Sequence, residues 1–343
     1  MLHQIMDAGG FSAAAQTKLF KPKDAYRMPG AGGQNLPPTT TLGKNPANGV
    51  VVYYSLKAKP TSDVVIEFLD STGKSIRKFT GRAPRPQPSP QPGAAQLTAP
   101  AEQQPPATEE ESFFGGAPAR VTMDVGLNRF VWDERYADAT RFPGIILWAG
   151  QTQGPKVVPG NYQVKLTVDG QTMTESFEVK PDPRLSTTAA DYAKQLDLSL
   201  KIRDKLTETH NAIIQIRDVK KQVDDLVKRV GPQSKPIADG GDALIKKLTE
   251  VEEALYQTKN QSSQDPLNFP IRLNNKLAAL MGVVARSETP PNDQSIEVYN
   301  DLVRQIDAQL AKLAQIMKTD VPAFNQLVKD QNIPAIVVKP PNP

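Results

Sequence analysis

The chain contains no cysteine. That removes thiolate metal sites, cysteine nucleophiles and disulfides from consideration. It contains two histidines, His3 and His210, and neither has a partner at a metal-binding spacing such as H-E-x-x-H. Aromatic residues make up 6% of the chain, and Trp132 and Trp148 are its only tryptophans. No run approaches the ~20 apolar residues of a membrane span. The first seven residues lack the basic and apolar regions of a signal peptide. There is no glycine-rich phosphate loop, no G-x-G-x-x-G turn and no G-x-S-x-G nucleophile elbow. Basic and acidic residues, 41 and 37, are interleaved and leave a net charge of only +4. The clustered basic stripe of a nucleic-acid binder is missing.

Proline is abundant, with 31 residues gathered into a few segments that read as linkers. At 343 residues and 38% apolar content, the chain can form about two domains with packed cores. Segment 1–48, dominated by Gly, Pro, Thr and Asn, reads as an extended lead-in without a continuous helix or ladder. Short alternating runs follow: 49–57, 63–69 and 75–80, with Asp70 to Gly73 as a hairpin turn. Segment 82–118 carries almost no large apolar residue, so it reads as a disordered insertion. Alternation returns over 121–133, where Phe130 and Trp132 share one strand face. Residues 143–148 (PGIILW) are a further strand candidate. Tyr162, Val164, Leu166 and Val168 alternate up to the turn signal Asp169-Gly170, and Met173, Phe177 and Val179 mark the last strand.

The period changes from two to 3.6 after Ser186. Leu198, Ile202, Leu206, Ile213, Ile216, Val219, Val223 and Leu226 form one apolar stripe, stopped at Gly231-Pro232. Three more amphipathic stretches follow, near 239–257, 273–284 and 299–317. Their stripes are too narrow for full burial alone, so antiparallel packing is expected. The fold expected is therefore multidomain: an antiparallel β-sandwich over 49–183, then an antiparallel helical bundle over 184–330, with a tail at 331–343.

Several motifs in that order carry a family resemblance. GLNRFVWDERY (126–136), PGIILWAG (143–150), GPKVVPGNYQVKLTVDG (154–170) and VKPDPR (179–184) resemble the C-terminal region of large bacterial BNR-repeat proteins, often termed glycosyl hydrolase-like or sortilin-like. The D-x-x-G hairpin at Asp70, the G-x-N-x-x-x-W-D strand at Gly126 and the P-G-x-Y hairpin at Pro159 are also similar to the Ig-like domain of the flagellar hook-capping protein. The resemblance covers about residues 19–184 well and the helices loosely. It implies an Ig-like sandwich that follows a β-propeller in an exported protein. This chain shows no propeller repeats and no S-x-D-x-G-x-x-W box.

Residues able to carry chemistry are few. A glycosidase needs two carboxylates about 5–10 Å apart across a cleft. Asp133 and Glu134 are neighbours on an expected strand and so point to opposite faces as solvated edge acids. Asp124 approaches Asp133 only if the fold happens to bring them together. Glu109 to Glu111 form an acid run without further oxygen ligands at loop spacing. His210 reads as a packing or surface residue. Trp132 reads as core. Trp148, beside Ala149-Gly150, is the candidate ligand-contact residue. The expected function is a non-catalytic accessory or structural module, the C-terminal part of a larger exported protein, that supports or anchors its upstream propeller. The alternatives are a carbohydrate-binding module built on Trp148 and a hydrolase in its own right. No cofactor, nucleic acid or membrane insertion is expected. The expected partners are the propeller and cell-envelope or polysaccharide components, and the expected location is extracellular, periplasmic or at the cell surface.

Overall fold

The computed structural model describes residue 4 and residues 16–28, 47–82, 120–230 and 234–332. The insertion expected at 82–118 and the tail expected at 331–343 lie almost wholly outside these residues. The chain is built of β-sheets followed by four helices among the described residues. It divides into two compact units: Met1–Ala137 with Gln153–Leu196, and Asp138–Thr152 with Asp197–Pro343.

The β unit contains eight strands: β1 (Lys18–Leu19), β2 (Ala25–Tyr26), β3 (Val50–Leu56), β4 (Val64–Asp70), β5 (Ser75–Gly81), β6 (Gly126–Trp132), β7 (Gly160–Val168) and β8 (Gln171–Lys180). They form a three-stranded sheet, β1-β3-β6, and a five-stranded sheet, β2-β8-β7-β4-β5. Every pairing is antiparallel except β2 with β8. Side chains two apart share a face of a strand. Val50, Val52, Tyr54 and Leu56 of β3 therefore turn inward together, as do Tyr162, Val164, Leu166 and Val168 of β7. Both sheets contribute to one hydrophobic core. Trp132, fully buried as its alternation with Phe130 predicts, stacks on Phe68 of the other sheet at 4.2 Å between ring centroids. Its indole N–H donates to the Arg135 carbonyl at 3.0 Å, which satisfies its one polar group.

Two features depart from the sequence reading. The lead-in is not merely extended. Leu19 is buried opposite Tyr54, and Ala25 and Tyr26 lie beside Val179 and Lys180, so residues 16–28 add one short strand to each sheet. Two-residue strands are too short to show a period, and their pairing depends on the free edges of β3 and β8. The second departure is 143–148, which forms no strand. Residues 138–152, read above as part of the sandwich, belong instead with the helices. The chain leaves the β unit after Ala137, returns at Gln153 and leaves again after Leu196. At the return point, a Cβ on Gly154 would stand 2.2 Å from the Tyr136 carbonyl oxygen, so only glycine fits there.

The helical unit contains most of α1 (Ala189–Val230), then α2 (Lys235–Leu255), α3 (Leu273–Val284) and α4 (Asp293–Asp330), with a 3-10 turn at Asp265–Leu267. Its core is formed by the expected stripes, including Ile202, Leu206, Ile213, Leu244, Leu248, Leu277 and Ile306. Ala139, Phe142 and Ile145 from the inserted segment join that core. Helix α4 continues through Pro322, which costs one backbone donor, so Phe324 and Leu327 lie on the helix itself.

Candidate functional site

Residues 138–152 have no strand neighbours, so their backbone polar groups need other partners. Side chains from the helices supply several of them. Tyr256 Oη accepts from the Ile146 N–H at 3.1 Å and donates to the Gly144 carbonyl at 3.2 Å. Asn275, almost fully buried, forms a two-way clamp on Trp148. Its Oδ1 accepts from the Trp148 N–H and its Nδ2 donates to the Trp148 carbonyl, each at 2.7 Å. Ala149 then takes a φ of 52°, a conformation that costs a residue with a Cβ about 1 kcal/mol or more. The Gln151 N–H donates to the Ala278 carbonyl at 3.2 Å and closes the turn. The turn's backbone is thus fixed at several points while Trp148 remains 37% exposed.

His210 anchors the start of the same segment. It is fully buried on α1, with Phe142 edge-on to its ring at 5.1 Å. Its Nδ1 lies 2.5 Å from the Thr140 carbonyl and its Nε2 lies 3.3 Å from Asn274 Nδ2. A carbonyl only accepts and an amide NH2 only donates, so Nδ1 carries the proton and Nε2 accepts. Burial lowers its pKa to about 4; the Thr140 hydrogen bond opposes that and Arg141 adds to it. His210 is therefore neutral at pH 7 and occupied at both nitrogens. Arg217 lies nearby, over the rings of Phe142 at 4.7 Å and Tyr256 at 5.3 Å, and its Nε donates to Glu252 at 2.7 Å. A cleft of about 520 Å³ opens beside this pair, between α1 and α2. Lys220 is paired with Glu252 and Lys221 with Asp225, so most of its charge is matched internally.

The β unit has a buried charge cluster of its own. Glu134 is not a solvated edge acid on a strand. Strand β6 ends at Trp132, Glu134 takes a φ of 62° and its side chain is fully buried. Lys156 Nζ stands 3.7 Å from its Oε2. Arg27 donates to the Val157 carbonyl at 2.8 Å and to Gln195 Oε1 at 2.7 Å, and lies 4.8 Å over the Tyr192 ring. Burial pushes the Glu134 carboxyl above its ordinary range, while Lys156 and Arg27 pull it down. Nothing in the spacing of Asp133 and Glu134 marks this difference. It arises because Glu134 itself takes the left-handed conformation. Asp133 remains half exposed and pairs with Arg77 and Arg135.

The remaining candidates do not converge. Asp124 is exposed, and its backbone is held by the Asn128 side chain at 2.7 and 3.1 Å. His3 and Glu109 to Glu111 lie outside the described residues. Among the described residues, no group of three or more His, Asp or Glu is arranged to hold a metal ion. No described helix is long and apolar enough to cross a membrane. No family model, no curated protein and no solved structure matches this chain.

Proposed function

We propose that this chain is a non-catalytic accessory module, an Ig-like sandwich carrying an antiparallel helical bundle, that supports or anchors an upstream β-propeller in an exported bacterial protein. The observation that carries this reading is how the buried polar side chains are used. Asn275, Tyr256 and Arg27 spend their hydrogen bonds on backbone or structural side chains, and His210 is occupied at both nitrogens. An active site instead aims such groups into a cleft, where a nucleophile and a base meet within about 3 Å.

The Ig-like assignment is supported by strand order and by one side chain. Strands β4, β7 and β8 correspond to C, F and G of an Ig domain, β3 and β6 to B and E, and β5 to the extra strand beside C. Tyr162, at the start of the F equivalent, donates its hydroxyl to the Val158 carbonyl at 2.5 Å, the arrangement of a tyrosine corner. That bond gives the P-G-x-Y motif a structural rather than a chemical purpose. The propeller partner, the envelope location and the exported parent rest on the sequence resemblance.

The test is a panel of chromogenic glycosides and esters assayed from pH 4 to 9. No turnover above background is expected. Turnover that survives repurification and is lost in Asp124→Asn or Asp133→Asn would replace this reading with a hydrolase. A second reading, a carbohydrate-binding module, is favoured by the clamped and strained turn at Trp148, since strain of this kind gathers at functional positions. Retention on insoluble polysaccharide that Trp148→Ala abolishes would establish it.

A further inference from the structure

Neither carboxylate oxygen of Glu134 has a hydrogen-bond partner among the described residues, although the side chain is fully buried. An ionised carboxylate buried without donors is costly, and an orphan of this kind calls for a physical account. Its neighbour is fixed by the backbone. The Val157 N–H donates to the Glu134 carbonyl at 2.7 Å and the Tyr136 N–H donates to the Pro155 carbonyl at 2.9 Å, with Arg135 opposite Lys156 in the bridge between them. Regular alternation would put the side chains of Glu134 and Lys156 on opposite faces of that bridge. The φ of 62° at Glu134 breaks the alternation and brings them together. Lys156 Nζ then stands 3.7 Å from Glu134 Oε2, too far for a hydrogen bond and close to contact.

The same Nζ donates to the Met28 carbonyl at 2.8 Å. That bond uses one N–H and leaves the side of the amine toward Glu134 open to carry a lone pair once a proton is lost. The Lys156 side chain is only 15% exposed, so little bulk water reaches the pair. Burial favours the uncharged forms of both partners, an acid and an amine, over the ion pair. It raises the Glu134 carboxyl in that direction, against the pull of Lys156 and Arg27. A carboxylic acid and an amine held in place without water are the two reactants of an amide.

We propose that Glu134 and Lys156 form an intramolecular amide cross-link. A proton passes from the Lys156 ammonium to the Glu134 carboxylate. Nζ attacks Cδ, the new C–N bond forms, the C–O bond to the hydroxyl breaks, and the hydroxyl leaves as water with one amine proton. Nothing is oxidised or reduced. Arg27, the other cation acting on Glu134, stabilises the negative oxygen of the tetrahedral intermediate. The N–H that remains on the cross-link keeps its bond to Met28, and two buried charges are removed. The link ties residue 134 to residue 156, on either side of the excursion 138–152. It goes beyond the accessory-module reading and does not depend on it.

Intact mass spectrometry of the full chain, as purified and after prolonged incubation at pH 7, tests this. The folded chain should be lighter than its sequence by the mass of one water. Trypsin should then spare the bond after Lys156 and release a branched peptide of residues 130–135 joined to residues 142–165, with tandem spectra placing the link at Glu134 and Lys156. Lys156→Arg should keep the full sequence mass. A wild-type chain of full sequence mass, cleaved normally after Lys156, would overturn the proposal and leave a buried ion pair. A water loss that maps instead to a cyclised Asp169-Gly170 would overturn it too. Peptide mapping of the wild-type chain decides the matter even if Lys156→Arg does not fold.

Discussion

His210 makes the stability of the helical unit depend on pH in a direction the structure fixes. In the folded chain its pKa is lowered from 6.5 to about 4. Unfolded, it returns to the ordinary value, so between these limits the unfolded chain holds a proton that the folded chain does not. Stability is therefore complete above about pH 6.5, is lost as the pH falls, and this contribution is exhausted near pH 4. Each tenfold difference in proton affinity is worth about 1.4 kcal/mol, so the whole loss is about 3 kcal/mol. The physical cause is that a charged imidazole would be buried beside Arg141, with Asn274 Nδ2 facing Nε2 donor to donor. Urea unfolding of the chain and of His210→Gln, followed by far-ultraviolet circular dichroism at pH 7.5, 6, 5 and 4, isolates the effect. The variant should be less stable at pH 7.5, since it loses the ring's packing on Phe142. The gap between the two proteins should narrow by about 3 kcal/mol toward pH 4. Subtracting the variant removes the carboxylates and the other histidine, His3, which are common to both. Parallel pH profiles would show that His210 titrates in the folded chain as it does in water, and the buried, neutral assignment would fail.

Three further outcomes follow from the packing. Trp132→Ala should cost the β unit about 3–5 kcal/mol in chemical denaturation, because it empties a fully buried site stacked on Phe68; a loss below about 1 kcal/mol would contradict that burial. Replacing residues 83–119 with a short Gly-Ser linker should change stability by less than about 1 kcal/mol, since a Cβ on Gly81 would lie 2.8 Å from the Val121 carbonyl and loop length adds little closure entropy. A larger loss would mean that the segment contributes to the core, as would resistance of 83–119 to limited proteolysis equal to that of the strands. A chain ending at Pro183 should bind a hydrophobic dye that the full chain does not, because Phe142 and Ile145 lose the helices that bury them; a clean, dye-free fragment would refute the division into these two units.

The sequence was sufficient wherever a local period was strong. The change from a period of two to a period of 3.6 separates the strands from the helices. Alternation alone put Phe130 and Trp132 in the core, and four apolar stripes marked four helices. These features depend on residues within one or two turns of one another, which is the range over which side-chain direction is fixed by the backbone.

Tertiary structure decided what those local patterns leave open. An apolar run such as Ile145, Ile146 and Leu147 reads equally well as a strand of the β unit or as a segment packed among helices. It became the second because Tyr256, Asn275 and His210, all distant in sequence, supply hydrogen bonds to the segment that a sheet would otherwise supply. Asp133 and Glu134 differ by one methylene and one position. One is half exposed and the other buried, because Glu134 itself takes the left-handed conformation and turns toward Lys156 and Arg27. Residues 16–28 become strands only because β3 and β8 present free edges to them. In each case the deciding partner lies more than twenty residues away, beyond the reach of any local period.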